Sequence, residues 1–405
     1  MSLLPVEDAL ARLLTAARAV TETEEVAIGE AHGRVLARNV ASRLTQPPFD
    51  SSAMDGYALR AEDIAEIGAI VTVIGESAAG NRFAGTVLPG QAVRIFTGAP
   101  VPNGADTVLI QEDAERLDDH RIQTRFVPAR GRHIRPRGQD FREGDVVLHS
   151  GEQLDAGRLT VAAGMNHARL HVFRRVRVAI LATGDELLPP GSDLGPDQIV
   201  ASNTFGIAAI ARESGAEIID LGIAPDSRSS IEEQLAAAQA ADADILVTLG
   251  GASVGDHDLV QSTLVGAGME LDFWRIAMRP GKPLMVGRLG DMQVLGLPGN
   301  PVSSLVCGFL FLEPLIRTLG HLKARNRLAA ATSARPLAAN DKRQDYIRAT
   351  LARSADGSLS ATAFERQDSS MMQTFAQSDA LIVRAPGAPA ADAGSACTVL
   401  LLRDL

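Results

Sequence analysis

The chain has 405 residues and a mass of 42.6 kDa, more than one hydrophobic core usually spans, so two to four domains are expected. It is 46% hydrophobic and 22% charged, as globular proteins are, and its formal net charge of -10 argues against nucleic acid as a main partner. The N-terminus has no basic start before a long apolar core, and no uninterrupted apolar stretch reaches the ~20 residues of a membrane span, so neither a secretory signal nor a membrane segment is expected.

The first predicted element is a helix from Val6 to about Val20, because apolar residues recur there at helical spacing. Its apolar face favours packing or a dimer contact rather than chemistry. From Val26 to about Val172, short apolar runs alternate with turns rich in Gly and Pro. That pattern predicts a β-rich region.

From Arg175 to about Gly320 strands and helices alternate, which predicts a three-layer αβα domain with a parallel or mostly parallel sheet. Ser229 or Ser230 is expected to cap the second of its helices. The predicted elements are strand 176–182, helix 203–214, strand 217–222, helix 230–241, strand 245–249, a helix near 258–265, strands 271–276 and 292–297, and helix 302–319.

The region from Ala324 to Leu405 returns to short alternating runs, which predict a small β-barrel-like domain at the C-terminus. The fold class is therefore an α/β multidomain chain with β-rich N-terminal domains. Only two cysteines are present, and Cys307 lies in an apolar helix where a reduced, packed thiol is expected. A cytoplasmic location follows from this cysteine usage.

Three polar loops each follow a predicted strand: Thr183-Gly184-Asp185-Glu186, the stretch from Gly250 to Asp258, and Leu297-Pro298-Gly299-Asn300-Pro301-Val302-Ser303. In an open α/β sheet the strand ends converge on one crevice. Glycines let backbone N–H groups approach an anion, and the helix that follows the third loop directs its positive end there. The three loops together predict a phosphate site.

The acidic residues in these loops predict a magnesium ion beside the phosphate. Asp256 and Asp258 follow the paired glycines, and Asp185 and Glu186 end the first loop. Carboxylates beside a phosphate would repel it unless a cation lay between them, and Mg²⁺ prefers such a shared shell.

A fourth segment supplies positive charge. Arg279 and Lys282 stand three residues apart in Arg279-Pro-Gly-Lys-Pro283, where two prolines stiffen the backbone. The segment suits a phosphate or another tetrahedral oxyanion. Taken singly, each motif has a plainer interpretation: a solvated turn for the first loop, a tight turn for the third, and solvated surface charge for Arg279 and Lys282. Four such loops within about 125 residues favour a site.

Several motifs resemble those of one known family, the MoeA family of molybdopterin molybdenumtransferases, whose eukaryotic relatives include the E domain of gephyrin. The resemblance runs from Val6 into the C-terminal domain. Its motifs are Ser52-Ala-Met-Asp-Gly-Tyr-Ala58, Phe96-Thr-Gly-Ala-Pro100, Arg135-Pro-Arg-Gly-Gln-Asp140, Thr183-Gly-Asp-Glu-Leu187, Gly250-Gly-Ala-Ser-Val-Gly255, Arg279-Pro-Gly-Lys-Pro283 and Gly296-Leu-Pro-Gly-Asn-Pro-Val-Ser303.

The resemblance implies insertion of molybdate into adenylylated molybdopterin with release of AMP, by a Mg²⁺-requiring homodimer. It also implies a helical and connecting dimerisation domain at 1–43 and 144–174, a β-rich domain at 44–143, the αβα molybdopterin-binding domain at 175–323 and the barrel-like domain at 324–405. A molybdopterin adenylyltransferase and molybdoenzyme maturation proteins are possible partners. The acceptor enzymes, the preference between molybdate and tungstate, and the handover of product stay open.

The resemblance also implies roles for individual residues. Asp55, Asp140, Glu186, Asp258 and Lys282 are expected to be catalytic, and Glu186, Asp226, Asp256 and Asp258 to organise the metal, with Asp256 and Asp258 as alternatives. Asp55, Thr97, Arg135 and Asp140 would come from the neighbouring subunit; without the resemblance, Asp55 before Gly56 resembles an ordinary turn residue. The expected substrate-binding residues are Thr97, Arg135, Thr183, Gly184, Asp185, Gly250, Gly251, Ser253, Arg275, Arg279, Pro298, Gly299, Asn300, Pro301, Ser303, Arg348 and one of Ser369 or Ser370.

The sequence departs from the family pattern at three positions. Arg275 and Arg279 stand where many relatives carry Lys, and Gln139 replaces an acid common before Asp140. Arginine keeps the positive charge of lysine but donates its hydrogen bonds from a planar guanidinium group, which can change the geometry of oxyanion binding. For Ser369 and Ser370 the alternative is simple loop capping.

Other functions on the same αβα domain are a molybdopterin adenylyltransferase and a competence-damage-type nucleotide hydrolase. Those families share the Gly-Gly loop but lack the domain with the Ser52–Ala58 motif, so the sequence argues against them. A carrier or scaffold that binds molybdopterin without turnover is the third alternative. The acidic and basic residues expected at the site are all present, which argues against a purely structural role.

Overall fold

The computed structural model describes residues 3–250 and 259–403, the side chain of Trp274 excepted. It has two compact units: unit 1 comprises Met1–Glu24 and Phe173–Leu405, and unit 2 comprises Glu25–Val172. Unit 2 is therefore a continuous insertion in the chain of unit 1. Strands β1 (Thr23–Ala27) and β12 (Arg169–Phe173) lie where the chain passes from one unit to the other.

The αβα part of unit 1 is built on a six-stranded sheet with the order β16-β13-β17-β21-β20-β18. Its first four strands are parallel, and β20 alone runs in the opposite direction, because it pairs antiparallel with both β21 and β18, so the predicted mostly parallel sheet is confirmed. The strands are β13 (Arg177–Thr183), β16 (Glu217–Ala224), β17 (Ile245–Leu249), β18 (Glu270–Arg275), β20 (Pro283–Leu289) and β21 (Met292–Leu297). Strand β20 was not predicted, because its start lies within the Pro-Gly-Lys-Pro motif.

Both faces of this sheet are buried, as the apolar strand sequences require. In β13, Val178 and Ile180 face one core, while Ala179 and Leu181 face the other. Helices α1 (Val6–Ala16), α3 (Asn203–Glu213), α6 (Pro301–Cys307) and α7 (Glu313–Leu319) contribute to the first core, and α4 (Arg228–Ala240) and α5 (Leu259–Gly266) to the second. The predicted three-layer domain is confirmed.

Several predicted helix boundaries were wrong. Helix α1 ends at Ala16 rather than near Val20, because Ala17 is already extended. Helix α4 is capped by Ser227 rather than by Ser229 or Ser230, since the Ser227 hydroxyl accepts from the N–H of Ser230 at 3.2 Å.

The predicted last helix is interrupted, because a π-helical turn at Gly308–Leu312 separates α6 from α7. By length and composition the 19 residues Pro301–Leu319 could cross a membrane, but 67% of the stretch is buried inside the protein, as a core helix is.

The C-terminal part of unit 1 is a closed β-barrel, as predicted. Five strands pair in the order β23-β24-β22-β26-β25, and β25 returns to pair with β23. Strand β19 (Met278–Arg279) adds to β23 in parallel. The barrel elements are β22 (Leu328–Ser333), β23 (Gln344–Arg353), β24 (Leu359–Ala363), α8 (Met372–Ala376), β25 (Ala380–Arg384) and β26 (Ala396–Leu401). The short pair β14 (Leu187–Leu188) and β15 (Ile199–Val200) completes unit 1.

Unit 2 is β-rich, as predicted. Its main sheet has six strands in the order β7-β4-β6-β5-β9-β8. The elements are β2 (Val40–Ala41), β3 (Ser51–Ser52), β4 (Gly56–Leu59), β5 (Ile70–Ser77), β6 (Gln91–Ile95), β7 (Thr107–Ile110), β8 (Ala114–Arg116), β9 (Arg121–Thr124), β10 (Ile134–Arg135), β11 (Val146–Leu148) and α2 (Ala156–Gly164).

Helix α1 lies in the αβα core of unit 1 through Val6, Ala9 and Leu13. The domain boundaries predicted at residues 43, 143, 174 and 323 stay predictions. The predicted N-terminal domain combines α1, which belongs to unit 1, with residues that the structure places in unit 2.

Candidate functional site

Three of the loops singled out in the sequence begin at one edge of the αβα sheet. The parallel register sets Ala182 of β13 beside Leu249 of β17, and Leu249 beside Leu297 of β21. The Thr183, Gly250 and Pro298 loops therefore leave the sheet side by side, as the convergence of parallel strands predicts.

Glycine backbones meet at this edge. A Cβ added to Gly250, whose φ is +97°, would lie 2.8 Å from the carbonyl oxygen of Thr183, and one added to Gly299 would lie 3.6 Å from the Cα of Gly250. Only glycine fits at position 250, because it permits both the positive φ and the close approach. The loops thus pack backbone against backbone.

Two buried polar atoms in these loops lack a partner among the described residues: Thr183 Oγ1 and Asn300 Oδ1. A buried polar atom without a hydrogen bond costs about 1–3 kcal/mol, so such atoms mark places where a ligand or water completes the network. Both residues belong to loops that were predicted to bind substrate.

A pocket of about 170 Å³ opens between this edge and the start of α3. Among the predicted residues, Thr183, Glu186, Gly250, Gly299 and Pro301 line it. The prediction missed a second group of lining residues, Ile199, Val200, Ser202, Asn203 and Thr204.

Asn203 is the most telling of the missed residues, because its side-chain N–H donates to the carbonyl oxygen of Gly299 at 2.7 Å. It joins the start of α3 to the Pro-Gly-Asn-Pro loop. The polar run Ser202-Asn203-Thr204 at the predicted helix start is the feature of the sequence that points to this contact.

Three carboxylates gather beside the pocket edge. The backbone N–H of Asp226 donates to Asp185 Oδ1 at 3.0 Å, and the Glu186 carboxylate lies over Gly184. Burial, followed by the charges of Asp185 and Glu186, raises the pKa of Asp226. A cation there would relieve this repulsion.

Within residues 3–250 and 259–403, no group of three or more His, Cys, Asp or Glu side chains is arranged to hold a metal ion. The predicted ligands Asp256 and Asp258 lie outside the described residues, as do Gly251 and Ser253.

The basic segment presents its two cations differently. Arg279 forms ion pairs with Asp345 and, at 3.5 Å, with Asp341. Lys282 is exposed, and no described side chain pairs with it. The turn between them packs on α6, since a Cβ at Gly281 would lie 2.8 Å from Cys307 Sγ. Arg275 is exposed at the end of β18.

Arg348 is 2% exposed and fixes the loop that contains the two candidate serines. Its Nε donates to Gln367 Oε1 at 3.1 Å and its Nη1 to the carbonyl oxygen of Asp368 at 2.8 Å. The Ser370 hydroxyl donates to Asp368 Oδ1 at 2.6 Å, which is the loop-capping alternative.

The carbonyl oxygen of Ser369 accepts from the N–H of Val302 at 3.3 Å. One amide at the start of α6, the helix whose positive end was predicted to face the site, is therefore already occupied by a carbonyl oxygen of the protein. The contact places the serine loop beside Ser303, which is buried in the first turn.

In unit 2 the structure brings Asp55 and Thr97 together. Asp55 Oδ1 accepts from the backbone N–H of Thr97 at 2.7 Å and from its hydroxyl at 2.8 Å. These two bonds, in that order, lower the pKa of Asp55, and Arg94 adds to the effect.

The other two predicted residues of unit 2 are exposed. Arg135 lies on β10, opposite Ser51 of β3, and the backbone N–H of Asp140 donates to the carbonyl oxygen of Gln46 at 3.1 Å. Their roles stay predictions.

The fold and the site define a multidomain protein whose candidate ligand site lies at the carboxyl edge of a mostly parallel sheet. Three family models match successive parts of the chain: "MoeA N-terminal region (domain I and II)" over residues 4–165, "Probable molybdopterin binding domain" over 179–318 and "MoeA C-terminal region (domain IV)" over 330–402.

Named relatives agree with these matches. The molybdopterin molybdenumtransferase of Haemophilus influenzae is 38% identical over 317 residues, which cover 78% of each chain. That of Nostoc sp. is 41% identical over 308 residues, which cover 74% of this chain and 70% of the relative. The crystal structure of the molybdopterin biosynthesis MoeA protein of Pyrococcus horikoshii has a TM-score of 0.83 at 29% identity and covers 100% of both chains. The chain belongs to the MoeA family of molybdopterin molybdenumtransferases, as its motifs predicted.

Proposed function

We propose that this protein is a transferase that inserts molybdate into adenylylated molybdopterin and releases AMP. Family membership supports the insertion of molybdenum into molybdopterin. The structural observation that carries the proposal is the meeting of Thr183, Gly250 and Gly299 at one strand edge. Close-packed glycine backbones beside unpartnered polar atoms suit a ligand that brings its own phosphate oxygens.

The proposed chemistry needs no covalent intermediate with the protein. The glycine loops would hold the pyrophosphate, and Lys282 would bring the molybdate dianion towards it. An oxygen of molybdate would then bond to the phosphorus of the molybdopterin phosphate as the bond from that phosphorus to AMP breaks. The two dithiolene sulfurs would lose their protons and bond to molybdenum as its bond to the transferred oxygen breaks, so that this oxygen stays on the molybdopterin phosphate. The protein contributes orientation and charge stabilisation, which together can supply most of the rate acceleration of such a transfer.

The first test is AMP release from purified protein supplied with adenylylated molybdopterin, with and without molybdate. We expect release that depends on molybdate. Tight binding without any release would favour a carrier. In a parallel assay with molybdopterin and ATP, consumption of ATP would favour an adenylyltransferase.

We further propose that Mg²⁺ binds beside Glu186 and Asp226, with Asp256 or Asp258 as a further ligand. The oxygen-only donor set fits Mg²⁺. The pKa of Asp226 is raised first by burial and then by the charges of Asp185 and Glu186, and a cation would offset those charges. When bound, the ion would neutralise charge between the carboxylates and the phosphate.

The test of this metal site is a thermal melt with and without Mg²⁺. The wild-type protein should show a higher Tm with Mg²⁺, and Asp226→Asn should lose the difference. Asp220→Asn, an exposed acid on the neighbouring part of β16, is the control that should retain it. An unchanged Mg²⁺ effect in Asp226→Asn would remove this residue from the metal site.

By family resemblance we also propose a cytoplasmic homodimer in which Asp55, Thr97, Arg135 and Asp140 serve the site of the partner subunit, with a molybdopterin adenylyltransferase and molybdoenzyme maturation proteins as partners. Mixing Asp55→Asn and Lys282→Ala subunits tests the shared site. Random pairing would restore about a quarter of the wild-type activity, because half of the dimers then contain one intact site. No restoration would mean that each site is built from one subunit.

A further inference from the structure

Arg279, a predicted ligand of the oxyanion, already has resident anions. Its guanidinium forms an ion pair with Asp345, a second with Asp341 at 3.5 Å, and a long contact with Asn340 Oδ1 at 3.5 Å. The hydrogen bond to Asp345 is the leading reason why the pKa of Arg279 is raised. The positive charge of Arg279 is thus largely compensated before any ligand arrives.

The pairing with Asp345 is fixed by the backbone. Strand β19 runs parallel to β23 with Arg279 directly beside Asp345, and opposite charges at such positions stabilise the pairing of strands. The Asp345 side chain is only 14% exposed, whereas that of Arg279 is 46% exposed. Asp345 is therefore a built part of the fold and lies on the inner side of a guanidinium that reaches solvent.

The same segment lies beside the candidate substrate loops. Its turn at Gly281 packs on Cys307 of α6, and the serine loop contacts the first turn of α6 through Ser369 and Val302. An oxyanion that binds Arg279 must do so next to Asp345.

We propose that Asp345 is a specificity-determining residue of the oxyanion site. Asp345 is a resident anion, and an incoming oxyanion must share Arg279 with it. The inference rests on the proposed function, in which this segment receives a tetrahedral oxyanion. Lys282, the exposed cation of the same segment, then makes the first contact, and Arg279 binds more weakly than its charge alone would suggest.

The charge of the ligand gives this proposal a distinctive signature. Coulomb repulsion scales with ligand charge, so Asp345 disfavours a dianion twice as strongly, in free energy, as a monoanion of the same shape. Removing the carboxylate should therefore improve dianion binding by a factor that is the square of the factor for a monoanion. A mere loosening of the fold would change the binding of both ions alike.

The experiment measures the binding of molybdate and of perrhenate, a tetrahedral monoanion, to full-length Asp345→Asn by calorimetry at low ionic strength. We expect the Kd for molybdate to fall about tenfold and that for perrhenate about threefold relative to the wild-type protein. Both gains should shrink as salt is added, because the site is partly exposed.

The control is Glu270→Gln, which removes the charge from another cross-strand ion pair, Glu270 with Arg288 at 3.1 Å. Glu270 lies five residues before Arg275 on β18, roughly 17 Å away along the strand. Its removal should change neither Kd. If Asp345→Asn fails to fold, Asp341→Asn, whose side chain is 44% exposed, should show the same order of effects at smaller size.

Three results would overturn the proposal. They are unchanged or weaker molybdate binding in the folded variants, an equal change in Kd for the two ions, and no oxyanion binding at all. AMP release by the wild-type protein separates this outcome from failure of the proposed function. Molybdate-dependent release with no tightening in Asp345→Asn overturns only the role of Asp345, whereas tightening without release overturns only the transferase.

Discussion

Asp55 stands in a sequence typical of a turn, but hydrogen bonds from Thr97 lower the pKa of its carboxyl group. The sequence Asp55-Gly56 is typical of a turn, yet both hydrogen bonds to its Oδ1 come from Thr97, which is distant in sequence. Because the bonds favour the charged form, the carboxylate stays ionised to lower pH than an unperturbed aspartate. Its stabilising effect is present above the unfolded pKa and is lost as the pH falls through the lowered folded pKa.

We predict that Thr97→Val raises the pKa of Asp55 part of the way to its ordinary value. The variant removes the hydroxyl donor and keeps the backbone N–H, which is the larger cause of the shift. An NMR titration of the Asp55 carboxyl measures it. Thr97→Ser, which retains a hydroxyl, should titrate like the wild-type protein; an unshifted pKa in Thr97→Val would show that the side-chain bond has no influence.

At the pocket edge, Asn203→Ala should weaken substrate binding more than it slows turnover. The variant removes the donor to the Gly299 carbonyl oxygen, so the Pro-Gly-Asn-Pro loop loses its tie to α3 and positions the ligand less well. We expect KM for adenylylated molybdopterin to rise about tenfold, the effect of about 1.4 kcal/mol. Thr204→Ala is the control, because Thr204 lies on the same pocket wall and has no side-chain hydrogen bond to the Pro-Gly-Asn-Pro loop within the described part of the chain. Equal effects of the two variants would contradict the role of Asn203.

At the scale of elements, the helix that ends the αβα domain is joined to the barrel by a buried ion pair. Arg327 Nε donates to Glu313 Oε2 at 2.6 Å, its Nη1 donates to the carbonyl oxygen of Leu401 at 3.1 Å, and both charged side chains are under 10% exposed. The guanidinium also lies 4.7 Å over the ring of Phe309. Such a pair specifies how two elements dock, although its own formation costs desolvation of both charges.

We predict that Glu313→Gln lowers the free energy of unfolding by about 3 kcal/mol, because it leaves the buried Arg327 without its counter-charge. The double variant Glu313→Leu with Arg327→Met should be more stable than the single one, since no unpaired charge remains. Urea unfolding measures both. Glu365→Gln, in an exposed pair with Arg335, should change stability by less than about 0.5 kcal/mol; a single variant as mild as this control would contradict the prediction.

At the scale of the whole molecule, unit 2 is one continuous segment with apolar cores of its own. One core contains Leu36, Phe141 and Met165, and a second contains Leu59, Val71 and Ile122. A segment of this kind meets the requirements of an independently folding domain, because its buried surface does not depend on distant parts of the sequence.

We predict that residues 25–172 expressed alone fold cooperatively. Circular dichroism and a dispersed amide NMR spectrum measure this. A fragment that ends at residue 135 should not fold in the same way, because it lacks Phe141, Leu148 and helix α2, which complete the first core. An unfolded 25–172 fragment would show that unit 2 depends on the rest of the chain.

The sequence by itself determined the three-layer domain, the barrel and the family, because strand and helix periodicities and short glycine motifs are local properties that burial enforces residue by residue. It also predicted that Thr183, Gly250 and Gly299 would meet, since parallel strands share one edge. Only the tertiary structure decided what Arg279 and Asn203 contact. Asp345 lies 66 positions after Arg279, and Gly299 lies 96 positions after Asn203. Partners so distant in the chain are chosen by strand register and helix docking, which no local pattern encodes.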